Sequence, residues 1–128
     1  IIGYPGEDEQ NFKETLEIIK KIKFINSYSF IYSSRPGTVA ANLKTIDQKI
    51  LAQRLKEVQN QLFENQISMN KSLENKILTV LVENLTKDKS QVFGRSEYMT
   101  PVIFNGKKSD IGKIVSVKIE KSNRNHIF

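Results

Sequence analysis

Most of the side chains in this sequence that can do chemistry are cations, and they are unevenly distributed. Residues 67–128 carry eleven Lys and Arg against six Asp and Glu, a net charge of +5, whereas residues 1–66 carry nine against eight. A local excess of positive charge attracts the phosphate backbone of a nucleic acid. A single lysine is usually only solvated surface, so the prediction depends on the joint excess. The predicted phosphate contacts are Lys76, Lys87, Lys89, Arg95, Lys107, Lys108, Lys113, Lys118 and Lys121.

Two charged residues in the first half occupy loops that follow apolar, strand-like segments. Glu7 comes after Ile1–Gly3, and Arg35 comes after Ser27–Tyr32. In a β/α barrel the carboxyl ends of the strands face the active site, so both side chains are candidates for a ligand pocket. The planar guanidinium of Arg35 matches a carboxylate or a phosphate. The alternative is that both residues only brace the neighbouring loops, and the sequence leaves this open.

The remaining reactive residues limit the chemistry further. The sequence contains no cysteine, which excludes disulfides, thiolate metal sites and cysteine nucleophiles within these residues. His126 is the one histidine, and a lone histidine makes no metal site, so no metal is expected here. Tyr98, in a polar loop, can stack on a nucleic-acid base, whereas Phe93 lies inside a predicted strand and fits a core better. No apolar run approaches the roughly 20 residues that span a membrane, so a cytoplasmic protein is expected.

The first 46 residues have the pattern of a β-α-β unit. Ile1–Gly3 is typical of the end of a buried strand, residues 9–23 place apolar side chains on one helical face, and Ser27–Tyr32 alternates small polar with aromatic residues. Such a unit belongs to a parallel sheet, and one unit cannot close a sheet. Because the sequence also starts with apolar residues and no Met, we expect a C-terminal fragment of a longer protein, with residues 1–46 as an α/β remnant.

A long helix and a series of short strands follow. Apolar residues near heptad spacing predict a helix over residues 47–73. Because only about three heptads are present, a connector that packs on its own domain is favoured over the alternative, a dimer interface. Beyond residue 74 the period changes to two, and polar turns separate the segments. Short strands without a helix favour a small all-β barrel or an open sandwich of OB or SH3-like size. The five predicted strands are Lys76–Glu83, Gln91–Glu97, Pro101–Phe104, Gly112–Glu120 and Arg124–Phe128.

The order of these motifs resembles that of the radical-SAM methylthiotransferases. The loops Ile2–Glu7 and Tyr32–Thr38 are similar to two late barrel loops of that family, and Leu55–Gln59 is similar to its linker helix. Gln91–Glu97 and Ile111–Val115 resemble its C-terminal TRAM domain. The resemblance covers essentially the whole chain. It implies the end of a radical-SAM β/α barrel at residues 1–46, a linker helix at 47–73 and a five-stranded, OB-like TRAM barrel that binds RNA at 74–128.

The resemblance implies an enzyme that adds a methylthio group to an isopentenyl-adenosine next to the anticodon of a tRNA. The stretch Arg35–Thr38 is similar to the tRNA-modifying branch, and a basic domain also favours RNA over a basic ribosomal protein. The implied partners are the anticodon arm of tRNA and the upstream part of the same enzyme. Two alternatives stay open: the branch that acts on threonylcarbamoyl-adenosine, and a stand-alone RNA-binding module. The oligomeric state is not predicted.

The family's cofactors are two 4Fe–4S clusters and S-adenosylmethionine (SAM). The resemblance implies that the clusters are held by cysteine motifs, which these residues lack. No catalytic residue is therefore expected in this chain, and the chain alone is expected to be inactive. The residues expected at the edge of the SAM and substrate pocket are Glu7, Arg35, Pro36 and Gly37.

Overall fold

The computed structural model describes residues 1–128, which form two compact units, residues 1–66 and residues 67–128. The boundary falls inside a long helix, between Gln66 and Ile67. The first unit combines helices with short extended segments, and the second contains an antiparallel sheet. Each unit has its own hydrophobic core, so each is described by itself.

The first unit is built on two short extended segments that run parallel. The backbone N–H of Ile2 donates to the carbonyl of Phe30 at 2.8 Å, and the N–H of Tyr32 donates to the carbonyl of Ile2 at 2.8 Å. Helix α1 (Glu9–Ile22) connects the two segments, as a parallel pair requires. The core of this unit consists of Ile2, Phe12, Leu16, Ile19, Leu55, Val58 and Leu62.

Helix α1 begins at a reciprocal pair of hydrogen bonds. The Asp8 side chain accepts from the backbone N–H of Asn11 at 2.8 Å, and the Asn11 side chain accepts from the N–H of Asp8 at 3.2 Å. These bonds satisfy two of the N–H groups that a helix start leaves without partners. The capping bonds fix where the loop over residues 3–8 ends.

The predicted strand Ser27–Tyr32 pairs only at Ile31, which forms a parallel bridge with Ile2. Its partner segment turns away after Gly3, and a turn closes where the N–H of Glu7 donates to the carbonyl of Tyr4 at 2.9 Å. With one short neighbour, the segment has no continuous ladder. The alternating pattern therefore predicts an extended segment correctly but overestimates its pairing.

Helix α2 (Gln48–Ser72) lies where the heptad spacing predicts a helix. Val58 and Leu62 are buried in the core of the first unit, and Leu73, just after the helix, is buried in the core of the second. The polar Asn65 interrupts the apolar repeat, is itself buried, and donates to the carbonyl of Ile19 at 3.1 Å. The polar residue in the repeat is thus buried with a hydrogen-bond partner and does not interrupt the packing of the helix.

The second unit is a four-stranded antiparallel sheet with the order β3-β2-β1-β4. Val80 in β1 lies opposite Ser96 in β2 and Val115 in β4, and the register shifts between Val82 and Asn84. The strands are β1 (Ile77–Leu85), β2 (Val92–Ser96), β3 (Pro101–Phe104) and β4 (Ile114–Lys118).

One face of this sheet is buried and the other is exposed. In β1 the buried residues Leu78, Val80 and Val82 alternate with exposed ones, and in β4 the partly buried Val115 and Val117 do the same. This alternation is the period of two that the sequence predicts for a sheet with one buried face. The buried core consists of Leu73, Leu78, Val80, Val102, Ile119 and Ile127.

The two edges of the sheet are joined through the last two residues of the sequence. The N–H of Ile127 donates to the carbonyl of Pro101 at 3.0 Å, and the N–H of Ile103 donates to the carbonyl of Ile127 at 3.0 Å. On the other side, the N–H of Phe128 donates to the carbonyl of Lys121, beyond β4, at 2.8 Å. These bonds connect β3 with the segment that continues β4.

The sheet has four strands where five were predicted, because a turn occupies most of the segment Arg124–Phe128. The side-chain oxygen of Asn123 accepts from the N–H groups of Asn125 and His126, both at 2.8 Å. The N–H of Asn123 also donates to the carbonyl of His126 at 2.9 Å. Only the two residues after this turn are left to pair.

Candidate nucleic-acid interface

Two loops that carry lysines lie side by side at one end of the β2–β3 pair. Residues 86–91 connect β1 to β2, and residues 105–113 connect β3 to β4. The two loops are held together because Val92 pairs with Phe104 and the side-chain N–H of Gln91 donates to Oδ1 of Asn105 at 3.3 Å. We name them the lysine loops for the exposed residues Lys87, Lys89, Lys107, Lys108 and Lys113.

The acidic residue of the first lysine loop is occupied by the loop itself. The carboxylate of Asp88 accepts from the hydroxyls of Thr86 at 2.6 Å and Ser90 at 2.9 Å. The hydrogen bond from the Thr86 hydroxyl is the main cause that lowers the pKa of Asp88, with further lowering from Ser90. Lys87 and Lys89 form no ion pair with it.

Asp110 has the same role in the second lysine loop. Its carboxylate accepts from the backbone N–H of Lys107 at 2.9 Å and from Nζ of Lys113 at 3.1 Å. The N–H of Lys107 is the main cause that lowers the pKa of Asp110, followed by Lys113. The charge of Lys113 is therefore matched, whereas Lys107 and Lys108 form no ion pair.

Of the other predicted cations, Arg95 lies on β2, Lys76 and Lys118 lie at strand ends, and Lys121 lies beyond β4. Nε of Arg95 pairs with Oε1 of Glu83 at 3.2 Å, so the charge of Arg95 is also matched. Lys118 ends β4, and the carbonyl of Lys76 accepts from the N–H of Ile119 at 2.9 Å, which places both lysines on adjacent strands. Both side chains are exposed.

Tyr98, the candidate for base stacking, and Phe93, the candidate for the core, differ in position. Tyr98 is 43% exposed in the turn between β2 and β3. Because Arg95 pairs with Pro101, this turn lies at the opposite end of the β2–β3 pair from the lysine loops. Phe93 is partly buried in β2 and pairs with Ile103. The structure does not bring Tyr98 together with the lysine loops.

A groove that sequence reasoning missed lies beside the second lysine loop. It has a volume of about 210 Å³ and brings Lys118 close to Asn105. In the sequence, Asn105 indicates only a turn and Gln91 only the start of a strand. The hydrogen bond between them spans 14 positions, so no local pattern indicates the groove. The lining residues are Gln91, Ile103, Phe104, Asn105, Lys118, Glu120 and Phe128.

In the first unit, the carboxylate of Glu7 is held from two sides. Its Oε2 accepts from the N–H of Gly3 at 3.0 Å, and its Oε1 pairs with Nη1 of Arg54 at 2.7 Å. Arg54 is only 7% exposed, pairs with Glu9 at 3.2 Å and lies 5.0 Å from the centre of the Phe12 ring. This arrangement favours the bracing role for Glu7. Arg54 was missed because its acidic partners lie 45 and 47 residues away in the sequence.

The loop that carries Arg35 is exposed. The N–H and the hydroxyl of Thr38 donate to the carbonyl of Arg35 at 3.3 and 2.8 Å. Gly37 has a φ of +82°, a left-handed conformation that glycine adopts without strain, and Pro36 precedes it in the turn. The guanidinium of Arg35 forms no ion pair, so no carboxylate of this chain would have to be displaced before it bound an anion.

A cleft of about 480 Å³ opens beside the ends of the two parallel segments. Gly3, Tyr32, Ser33 and Ser34 are among its lining residues. The hydroxyl of Tyr32 is buried and has no hydrogen-bond partner, and its ring meets that of Tyr4 edge-on at 5.4 Å. A buried polar atom without a partner costs free energy, so this hydroxyl is a local source of instability beside the cleft.

The residues present do not fit a metal cluster. No group of three or more His, Cys, Asp or Glu side chains is placed to hold a metal ion. Iron–sulfur clusters are held mainly by cysteine thiolates, and the sequence has none.

Neither helix is long and apolar enough to cross a membrane.

Comparison with known protein families identifies the second unit. The family model described as the TRAM domain matches residues 71–128. Residues 71–128 are a TRAM domain. The four strands, the lysine loops and the groove all lie within it, so every residue of the candidate RNA interface belongs to the TRAM domain.

The whole chain is also similar to curated relatives named tRNA-2-methylthio-N(6)-dimethylallyladenosine synthase. It is 65% identical over 128 residues to the protein of Pelagibacter ubique, 43% over 128 residues to that of Ruthia magnifica and 44% over 129 residues to that of Vesicomyosocius okutanii. The alignments cover 99–100% of this chain but only 29% of each relative. The resemblance to methylthiotransferases, including the TRAM domain, is confirmed.

Arg54→Met is expected to lower the free energy of unfolding of the first unit by about 3 kcal/mol, because it leaves the Glu7 carboxylate buried without its partner. Urea denaturation followed by circular dichroism measures this. The matched control is Lys13→Met, which removes the exposed pair with Glu9 at 3.8 Å and should cost less than about 0.5 kcal/mol. Adding Glu7→Gln to Arg54→Met should recover part of the loss. Equal effects of the two single variants would contradict the bracing role.

Asp110→Asn is expected to lower the thermal unfolding midpoint at pH 7 and to weaken its dependence on acid. A carboxyl whose pKa is lowered by folding stabilises the protein above the ordinary Asp pKa of about 3.9, and that contribution is lost as the pH falls through the lowered folded-state value. Melting curves between pH 7 and pH values below the ordinary Asp pKa check this. Glu120→Gln, whose carboxylate forms no ion pair, is the control. An unchanged acid dependence in Asp110→Asn would refute the role assigned to this carboxylate.

Proposed function

We propose that this chain is the C-terminal part of a tRNA methylthiotransferase and that its TRAM domain docks the tRNA. The observation that carries the proposal is the similarity of the whole chain, at 65% identity, to a protein named tRNA-2-methylthio-N(6)-dimethylallyladenosine synthase. The whole enzyme would add a methylthio group to N6-isopentenyl-adenosine next to the anticodon, in the cytoplasm. All three relatives carry the dimethylallyladenosine name, which favours this substrate over threonylcarbamoyl-adenosine.

In this proposal residues 1–46 are the end of a radical-SAM barrel, residues 47–73 are a linker helix and residues 74–128 are a TRAM barrel. The parallel bridge between Ile2 and Ile31, connected through α1, supports the first assignment because adjacent parallel strands of a β/α barrel are connected in this way. The joined sheet edges at Ile127 and Phe128 support a closed, OB-like barrel whose fifth strand is very short.

The edge of the SAM and substrate pocket would lie at the cleft of the first unit. The cleft includes Ser33 and Ser34, the two residues before Arg35, and it opens at the carboxyl ends of the parallel pair, where barrels place their active sites. Arg35 would bind a carboxylate or a phosphate, Pro36 and Gly37 would shape its loop, and Glu7 would hold the neighbouring loop. Two 4Fe–4S clusters and SAM would supply the radical and sulfur chemistry. The cluster ligands must come from the upstream part of the enzyme, so the chain alone would be inactive.

The TRAM domain would hold the anticodon arm mainly through phosphates. Both acidic residues of the lysine loops are bound within the loops, which leaves Lys87, Lys89, Lys107 and Lys108 without acidic partners. Phosphate contacts of this kind fix the position of an RNA without reading its sequence. Matched cations such as Arg95 and Lys113 would have to exchange an ion pair for each phosphate contact, so they rank below the four unmatched lysines of the lysine loops.

The double variant Lys107→Ala/Lys108→Ala is expected to weaken tRNA binding by the full chain and to lower its salt dependence. Each lost phosphate contact reduces the slope of log affinity against log salt by about 0.7 to 0.9, so the double variant should lose about 1.5. Fluorescence anisotropy with labelled tRNA at several salt concentrations measures both quantities. Lys44→Ala/Lys49→Ala removes the same charge from the first unit and should change them little. Wild-type affinity that does not fall with salt would contradict RNA docking.

Deletion of the full-length gene is expected to remove the methylthio group from isopentenyl-adenosine in cellular tRNA, so that the unmodified isopentenyl-adenosine accumulates. Mass spectrometry of tRNA nucleosides measures this, and the full-length gene should restore the modification. The same gene with Arg35→Ala should restore it poorly, because the pocket would lose its cation. Loss of methylthio groups from threonylcarbamoyl-adenosine instead would identify the alternative substrate, and no change in either nucleoside would favour a stand-alone RNA-binding module.

A further inference from the structure

The groove of the TRAM domain differs from the rest of the basic surface in its chemistry. Lysine loops offer only charge, whereas the groove combines ring faces, amides and charge within about 210 Å³. Phe104 and Phe128 both line it and both are partly buried, so their rings are held while part of each surface stays accessible. Aromatic side chains in nucleic-acid grooves stack on unpaired bases of any sequence.

The two amides in the groove are hydrogen-bonded to each other. The side-chain N–H of Gln91 donates to Oδ1 of Asn105 at 3.3 Å, which leaves the oxygen of Gln91 as an acceptor and the amide nitrogen of Asn105 as a donor. An acceptor and a donor that line the same groove can together recognise the edge of a nucleobase, which carries both kinds of group. The mutual hydrogen bond also limits the rotamers of both side chains, so less conformational entropy is lost when a ligand binds.

The charges around the groove favour an uncharged ligand group inside the groove and phosphate groups outside it. Glu120 lines the groove, and a carboxylate there repels a phosphate group from the interior. Lys118 also lines it, while Lys107 and Lys108 follow Asn105 by two and three positions in the second lysine loop. A nucleotide can therefore place its uncharged base in the groove and its phosphates at these lysines.

We propose that this groove binds one unpaired RNA base, with its ring against Phe104 or Phe128 and its edge on Gln91 and Asn105. The inference rests on the proposed function, because it assigns a base subsite to the same RNA-docking domain. Under this proposal the RNA must offer an unpaired nucleotide as well as phosphates, and a fully paired helix has no such nucleotide.

The test compares two probes with equal charge: an adenylate tetranucleotide and a tetramer of the same ribose phosphates without bases. The full wild-type chain should bind the adenylate probe about tenfold more tightly, in line with one base stacked on an aromatic side chain. In Gln91→Ala/Asn105→Ala the ratio of the two affinities should fall towards one. Gln10→Ala/Gln53→Ala, which removes two exposed amides from helices of the first unit, should keep the wild-type ratio.

A second measurement uses the wild-type chain alone, so that it does not depend on the folding of a variant. The side-chain amide NMR signals of Gln91 and Asn105 should shift on addition of the adenylate probe and stay in place with the base-free probe. Equal affinities for the two probes, together with unmoved amide signals, would overturn the base subsite while leaving salt-dependent tRNA docking intact. Failure to bind tRNA at low salt would instead overturn the docking function itself.

Discussion

An open four-stranded sheet leaves a row of unpaired N–H and C=O groups along each edge strand, and the TRAM domain depends on how its own edges are satisfied. Ile127 pairs with β3 through Pro101 and Ile103, and Phe128 pairs with Lys121 beyond β4. Because the side chain of Ile127 is also fully buried, edge pairing and core packing are completed by the same residue. The groove includes residues from both joined edges, so its existence follows from this closure.

In the first unit an irregular loop is held in place by ion pairs, whereas in the TRAM domain the sheet edges are held by backbone hydrogen bonds. The loop over residues 3–8 of the first unit is irregular and has few backbone partners. The buried guanidinium of Arg54 binds Glu7 in this loop and Glu9 at the start of α1. A buried ion pair contributes little net stability, since desolvation offsets the attraction, but it strongly disfavours any arrangement that separates the charges. Its effect is therefore to fix in one position the loop that begins with Gly3, a lining residue of the cleft.

Periodicity was sufficient for the regular elements, and long-range pairing accounts for what it missed. The spacing of apolar residues predicted α2, and alternation predicted the four strands close to their observed bounds. The pairing of Ser27–Tyr32 and of Arg124–Phe128 was overestimated because it depends on where the partner segments turn. The lysine excess was visible in composition, but the ion pairs that match Arg95 and Lys113 were not. Likewise, nothing in the local sequence distinguishes Arg54 from an exposed helical arginine, because its partners Glu7 and Glu9 lie far away in the sequence.

Closure of the TRAM sheet by Ile127 also determines when the domain can fold during synthesis. The β2–β3 hairpin can form as soon as both of its strands have left the ribosome, but β3 then waits for Ile127 to cover its free edge. Until that residue emerges, the nascent chain presents an open strand and an incomplete core, which is the state most exposed to aggregation. A premature stop codon only a few positions before Phe128 would have the same result permanently. Such a product would keep every lysine of the lysine loops but would lack the residue that covers the free edge of β3.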